Sequence, residues 1–217
     1  MNSDHCILCN AQDVDFFFKN RSGPDQTTYY TCNQCHLIFA SDKDRPSPRE
    51  EFARYNQHEN NPDDPQYRAF LTQLFRPMQE RLSAGSKGLD FGSGPGPTLH
   101  RMFEDHGHDM QIFDPFYANN PAVFEESYDF ITATEVAEHL HHPAKEFKRL
   151  WSCLLSGGYL GIMTKRAEKE RSFFANWYYH RDPTHVTFYT KETFLWLADE
   201  WDASITFPGE NIAIFKK

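Results

Sequence analysis

The 217 residues include 39% apolar and 16% aromatic side chains, enough for one full core plus a small appendage, so a well-buried interior is expected. A formal charge of -9 argues against a nucleic-acid binder, which usually presents a basic face, although a local patch around Lys19 and Arg21 would revive that role. No run reaches the ~18 apolar residues of a membrane span, and Met1 to Cys6 has neither the basic nor the apolar region of a signal peptide, so a cytoplasmic protein is the expectation.

The first zone, residues 1–45, is marked by two C-x-x-C knuckles, Cys6–Cys9 and Cys32–Cys35. A C-x-x-C turn presents two thiolates at once, and zinc takes four in a tetrahedron. Four sulfurs leave no open position, so this zinc is read as structural. About 40 residues bury too little to fold without such a staple. The module resembles a zinc ribbon. Two disulfides are disfavoured in a reducing compartment. Residues 46–66 are polar and rich in Pro, Asn and Asp, as a linker is. Tyr55 and His58 within it suggest a lid folding over a cofactor.

From residue 67 to 217 the pattern is α/β. Phe70, Leu71, Leu74, Phe75, Met78 and Leu82 follow one helix face, with Pro77 expected to kink or restart it. Lys87 to Phe91 reads as a strand ending in a glycine turn, Thr98 to Asp105 as a helix, and Met110 to Phe113 as a second strand. Tyr128 to Thr134 reads as a buried strand and Ala144 to Leu155 as a helix that Gly157-Gly158 ends, before the strand Tyr159 to Met163. Cys153 falls on the apolar face of that helix and reads as core. Thr193 to Glu200 is a further helix, and Ala203–Phe207 with Ile212–Phe215 an antiparallel hairpin. Alternating strands and helices imply a doubly wound, mostly parallel sheet.

Asp90-Phe91-Gly92-Ser93-Gly94-Pro95-Gly96 puts glycines between a strand and a helix, where a ligand approaches the backbone unhindered by a Cβ. Asp114 stands about 20 residues beyond Gly94, at the end of the second strand, placed to accept from both hydroxyls of a ribose. A nicotinamide dinucleotide site would need glycine at position 97, where Pro97 stands. A nucleoside-type cofactor is therefore expected. With Tyr128-Asp129-Phe130-Ile131, Glu135-Val136-Ala137-Glu138-His139 and Leu155-Ser156-Gly157-Gly158-Tyr159-Leu160 following in order, the chain resembles the class I S-adenosylmethionine-dependent methyltransferases. The resemblance implies their Rossmann-like fold and cofactor. It implies that Gly92, Ser93, Gly94 and Gly96 line the methionine and ribose part, that Asp90 faces the amino end, and that Glu135 borders the methyl-transfer site. One departure stands out: the stretch from Asp114 to Tyr128 has no room for the family's usual helix, third strand and adenine loop. The third strand is expected to be lost or vestigial, with Phe116 and Tyr117 as candidates for stacking on adenine.

Trp177 to Tyr189 follows the fifth strand, over the carboxyl ends of the strands, and mixes aromatic walls with His, Asp, Arg and Tyr. Methyl transfer draws on positioning, and an oxygen or nitrogen nucleophile often needs a base near neutral pKa. His185 and His180 are the candidates, with Asp182 orienting one of them. His139 faces the site through its place in the resemblance. His139, His141 and His142 do not share one face well and are not read as a metal site; the latter two read as solvated. Lys165 to Arg171 reads as a solvated charged face. The reading is methyl transfer from S-adenosylmethionine to a small-molecule acceptor. RNA or protein docked by the zinc ribbon, and a non-catalytic cofactor-binding protein, stand as alternatives.

Overall fold

The computed structural model describes residues 5–20, 26–57 and 61–217. Arg21 and His58, named above, lie outside the described residues. The first three strands, β1 (Val14–Lys19), β2 (Thr28–Cys32) and β3 (Ile38–Ala40), form an antiparallel meander. Helix α1 (Pro48–Tyr55) follows, in a stretch whose composition reads as a linker. Local chemistry starts it: Ser47 and Glu50 close a reciprocal capping box, and Pro48 opens the first turn, where its missing N–H costs nothing.

Helix α2 (Pro65–Gln79) buries Leu71, Leu74, Phe75 and Met78, the face read from the sequence. It runs through Pro77 without a restart and ends two residues later. The sheet elements are then β4 (Lys87–Phe91), helix α3 (Leu99–Glu104), β5 (Asp109–Phe113), β6 (Tyr128–Thr134), helix α4 (Pro143–Cys153) and β7 (Leu154–Met163). The last differs from the sequence expectation. Strand β7 begins directly after Cys153, and Gly157-Gly158 lie inside it, at a break in register against β6, with Gly157 at φ +82°. The glycines make a bulge and do not end the helix. Helix α5 (Arg171–Asn176), β8 (Thr187–Phe188), helix α6 (Lys191–Glu200), β9 (Ser204–Gly209) and β10 (Ile212–Lys216) complete the chain.

The larger sheet has the order β5-β4-β6-β7-β10-β9. Its first four strands are parallel, and β10 and β9 add antiparallel. No strand lies between Asp114 and Tyr128; a tight turn closed by Asp114 and Ala118 and a short 3-10 turn at Pro121–Glu125 fill that space. The side-chain period of two assigns the faces. Phe130, Met163 and Ile214 point toward α2 and α3, while their neighbours Ile131, Ile162 and Phe215 point toward α4 and α6. Each fully buried Phe contributes roughly 1.5–3 kcal/mol, so Phe103, Phe130, Phe147, Phe194 and Phe215 alone anchor both layers.

The smaller sheet has the order β1-β2-β3-β8 and thus takes its last strand from the far end of the chain. Its cysteine side is continuous with the main core: Cys6, Leu8, Cys32, Cys35 and Leu37 belong to the same apolar cluster as Phe147, Tyr189 and Phe194. Its other side packs Phe17, Tyr29, Phe174 and Phe188 into a separate aromatic cluster. No helix among the described residues is long and apolar enough to cross a membrane.

Candidate active site

The glycine turn closes on β5. Gly92 N–H and Ser93 N–H both donate to Phe113 O, at 2.7 and 3.2 Å, and Gly94 N–H donates to Asp114 Oδ2 at 2.9 Å. Gly92 and Gly94 have φ of +77° and +67°, a backbone that L side chains rarely adopt. A Cβ at Gly92 would also stand 2.3 Å from Val136 Cγ2, so the turn is packed against the segment after β6. Asp114 Oδ1 accepts from Phe116 N–H and Tyr117 N–H at 2.9 and 3.1 Å. Three of its roughly four lone-pair positions are therefore taken by backbone, and one is left over on Oδ2.

The polar groups fit a cationic nucleoside cofactor. Ser93 Oγ and Thr134 Oγ1 are buried without a hydrogen-bond partner, as atoms awaiting a ligand are. Asp90 is buried and accepts from Thr132 Oγ1 at 2.8 Å; burial pushes its carboxyl up to about 6 despite that bond. Glu135 sits at φ +52°, a conformation that costs a non-glycine residue roughly 1–2 kcal/mol. Its N–H is tied to Met163 O at 2.8 Å. Burial, and then the charge of Glu138, raise its carboxyl to about 8. Buried Asp90 and part-buried Glu135, both disfavoured as anions, gain from a positive ligand charge. Burial, and then the charges of Asp90 and Glu135, raise the hydroxyl of Tyr67 at the start of α2.

Helix α1 roofs this side. Phe52 and Tyr55 pack on Phe116, with ring centroids 5.5 and 5.7 Å apart, and Phe52 reaches Tyr117 at 5.9 Å. Tyr117 Oη donates to Asn56 Oδ1 at 2.8 Å. The helix is fastened at its other face by Arg54, whose Nε and Nη2 donate to Asp182 Oδ2 at 3.0 and 2.8 Å, and by Glu51, which pairs with His141 at 2.9 Å. His141 is thus a part-buried partner of the lid, where the sequence reading leaves it solvated. Tyr55 also stands edge-on to His139 at 5.2 Å. Its hydroxyl is raised by burial and by the charges of Glu51, Glu138, Asp182 and Asp114.

The histidine side comes from two distant segments. A 3-10 turn, Ala137–His139, is latched to β8 by Thr187 Oγ1 and Tyr189 Oη, which both donate to Ala137 O, and by Val186 N–H, which donates to Glu138 O. His139 and His185 are thereby brought to a ring separation of 4.7 Å. Each Nδ1 pairs with a backbone carbonyl, Thr184 O at 2.9 Å and Tyr179 O at 2.7 Å. Burial pushes the His185 imidazole down. Tyr179 Oη donates to Glu138 Oε1 at 2.5 Å and reaches Glu135 Oε2 at 3.4 Å.

Two sequence-predicted catalytic residues stand elsewhere. His180 is 4% exposed and stacks on Phe174 within the aromatic cluster of Phe18 and Tyr29; its Nδ1 pairs with Trp177 O, and burial holds it down to about 4. Asp182 orients neither imidazole, because Arg54 holds Oδ2 while the N–H and Oγ1 of Thr184 hold Oδ1. Burial raises its carboxyl, but the bonds from Arg54 and Thr184 outweigh that and keep it well below the ordinary range. The charged stretch 165–171 is likewise more engaged than read: Lys165 lies over the Tyr178 ring at 4.5 Å, and Arg171 donates to Phe16 O at 3.0 Å. Sequence reasoning missed Glu138, Tyr179, Tyr67 and Arg54. Only Glu138 and Tyr179 carried a signal, as a second acid beside Glu135 and a tyrosine in the aromatic loop.

The four cysteines converge on the side of the module that joins the main core. All four Sγ atoms lie within 4.8 Å of one another, with Cys6–Cys35 at 3.4 Å and Cys9–Cys32 at 3.5 Å. A tetrahedral zinc needs sulfurs about 3.8 Å apart at Zn–S of about 2.3 Å, which this set meets with small adjustments. Cys153 is buried in the core, as read.

Residues 56–206 match the family model described as a methyltransferase domain. No curated protein matches the chain significantly. Among solved structures, the Burkholderia thailandensis 1,6-didemethyltoxoflavin-N1-methyltransferase, bound to 1,6-didemethyltoxoflavin and S-adenosylhomocysteine, aligns with a TM-score of 0.55 at 12% identity, over 92% of this chain and 98% of that one. A candidate methyltransferase of Bacillus halodurans C-125 aligns with a TM-score of 0.52 at 18% identity, over 63% of this chain and 67% of that one. Both likenesses are of fold. The chain belongs to the methyltransferase-domain family and is an S-adenosylmethionine-dependent methyltransferase.

Proposed function

We propose that this methyltransferase moves the methyl group of S-adenosylmethionine to an oxygen or nitrogen of a small-molecule acceptor, and that its four cysteines hold a structural zinc. One observation carries the reading: the two half-sites adjoin. Tyr55 stands edge-on to His139 at 5.2 Å and packs at 5.7 Å on Phe116, whose N–H donates to Asp114, so one ring touches both the cofactor side and the histidine side.

In the reaction the acceptor lone pair forms the bond to the methyl carbon. The carbon–sulfur bond breaks with its electron pair left on sulfur, and the acceptor proton departs. Products are the methylated acceptor, S-adenosylhomocysteine and a proton. The chain's own part is positioning, worth several kcal/mol in well-oriented reactions. Gly92, Ser93, Gly94 and Gly96 would cradle the cofactor, with Asp114 on the ribose and Phe116 and Tyr55 against the adenine. Asp90 and Glu135 would face its positive end. His139 and His185 would activate the acceptor. A small acceptor is supported by the roof that α1 forms over the site. It is also in keeping with the small heterocycle that the Burkholderia thailandensis enzyme methylates.

Calorimetric titration with S-adenosylhomocysteine tests the cofactor. Micromolar affinity is expected, and no binding at millimolar ligand would refute it. Turnover of methyl-labelled cofactor across phenols, heterocycles and amines, against RNA and protein as controls, then tests the acceptor. Zinc content near one per chain tests the cysteine site.

A further inference from the structure

Glu138 is fully buried. Its Oε1 takes the Tyr179 hydroxyl, and its Oε2 has no hydrogen-bond partner. A carbonyl oxygen only accepts, so the Nδ1 atoms of His139 and His185, each paired with one, carry the ring protons. In the neutral imidazoles the lone pair then sits on Nε2. One ligand atom from each of Glu138, His139 and His185 lies within 4.8 Å of the other two. A second carboxylate, Glu135, joins the group through Tyr179. The unpartnered buried oxygen of Glu138 thus stands beside two part-buried imidazoles and near a second acid, and a cation satisfies that oxygen where another acceptor cannot.

We propose that Glu138, His139 and His185 bind a divalent transition-metal ion through one carboxylate oxygen and one ring nitrogen of each imidazole. Backbone carbonyls on the opposite ring nitrogen are what fix metal-binding imidazoles in tautomer and direction. Two imidazoles and one carboxylate suit manganese, iron or zinc and leave coordination positions open, unlike the closed four-sulfur set. The site rests on the methyl-transfer reading and deepens it: the acceptor would be a hydroxyl compound whose oxygen enters an open position. Its proton, made more acidic by the ion, leaves to solvent, and the same oxygen then attacks the methyl carbon. The imidazoles serve as ligands, which is how they activate the acceptor.

Manganese separates this site from the cysteines, because thiolate sets disfavour it. The full chain is stripped with a chelator and titrated with Mn²⁺ under electron paramagnetic resonance, with S-adenosylhomocysteine affinity measured in parallel. Expected is one tight Mn²⁺ per chain whose spin-echo signal carries imidazole nitrogen modulation. Glu138→Gln and His185→Ala should each weaken it by more than the roughly 10–100-fold typical of outer-shell losses, while cofactor affinity stays within about threefold. Wild-type protein that binds S-adenosylhomocysteine but no Mn²⁺, or binds Mn²⁺ without nitrogen modulation, overturns the metal site and leaves methyl transfer standing. Failure to bind S-adenosylhomocysteine strikes the methyl-transfer reading itself. The nitrogen modulation needs no variant and so decides even if a substitution unfolds the chain.

Discussion

The two walls of the proposed site, one for cofactor and one for acceptor, are built in opposite ways. The cofactor wall is local: Gly92, Ser93 and Gly94 bond to Phe113 and Asp114, the next strand along. Its shape is a backbone shape, held by glycine φ angles and by N–H groups on a single carboxylate. The acceptor wall is collected from Tyr55, Glu138, His139, Tyr179 and His185, and hydrogen bonds from Val186 N–H and the Thr187 and Tyr189 hydroxyls bring the two histidines together. A wall of the first kind fails when one backbone position is filled. A wall of the second kind fails when anything that holds its pieces in register is loosened.

The largest effect should come from a residue in neither wall. Strand β3 pairs with β8, two residues past His185, so the cysteine module props the acceptor wall. Cys32→Ser should release the proposed zinc and lower the melting temperature by about 10 °C or more, at roughly 2–4 °C per kcal/mol for a chain of this size. Scanning calorimetry with zinc analysis reads it, and turnover should fall further than S-adenosylhomocysteine affinity does. Equal losses in both would erase the contrast between the walls. Gly94→Asp should next cost about 100-fold or more in S-adenosylhomocysteine affinity, near 2.7 kcal/mol, by calorimetric titration. Its strain at φ +67° and its added charge beside Asp114 both act there, while the acceptor wall keeps its fold.

Asp182→Asn is a gentler loosening. The Arg54 pair is part-exposed, so about 1 kcal/mol and a several-fold rise in acceptor KM are expected from steady-state kinetics. Because the folded carboxyl titrates below its unfolded value near ~3.9, the contribution is full above that value and lost as pH falls through the folded one. A wild-type lid should therefore stay fastened at mildly acidic pH; release at pH 5, seen as faster amide exchange in α1, would contradict the assignment. Tyr117→Phe is the smallest change. It removes one exposed hydrogen bond to Asn56, and S-adenosylhomocysteine affinity should move less than about threefold.

The same contrast explains what was legible beforehand. The glycine turn, Asp114 and the missing third strand were readable because each lies in one short stretch of chain. The four cysteines were readable for the same reason. Glu138 was overlooked because its role depends on His185, and the two are brought together only by the latch onto β8. His180 misled because nothing local says that Phe18, Tyr29 and Phe174 will enclose it. The polar composition of residues 46–66 reads as a linker or lid and hides helix α1, whose local sign is the capping box at Ser47.

The pairing of β3 with β8 also bears on the order in which the molecule assembles. The first three strands can form early, yet their sheet stays one strand short until Thr187 and Phe188 exist. Closing that contact spans most of the chain, and such long-range pairings are slow to form. Metal capture at the cysteines would give the early hairpin a lifetime long enough to wait for its last strand. Refolding in zinc-free solution should accordingly show a lag in the appearance of activity that added zinc shortens.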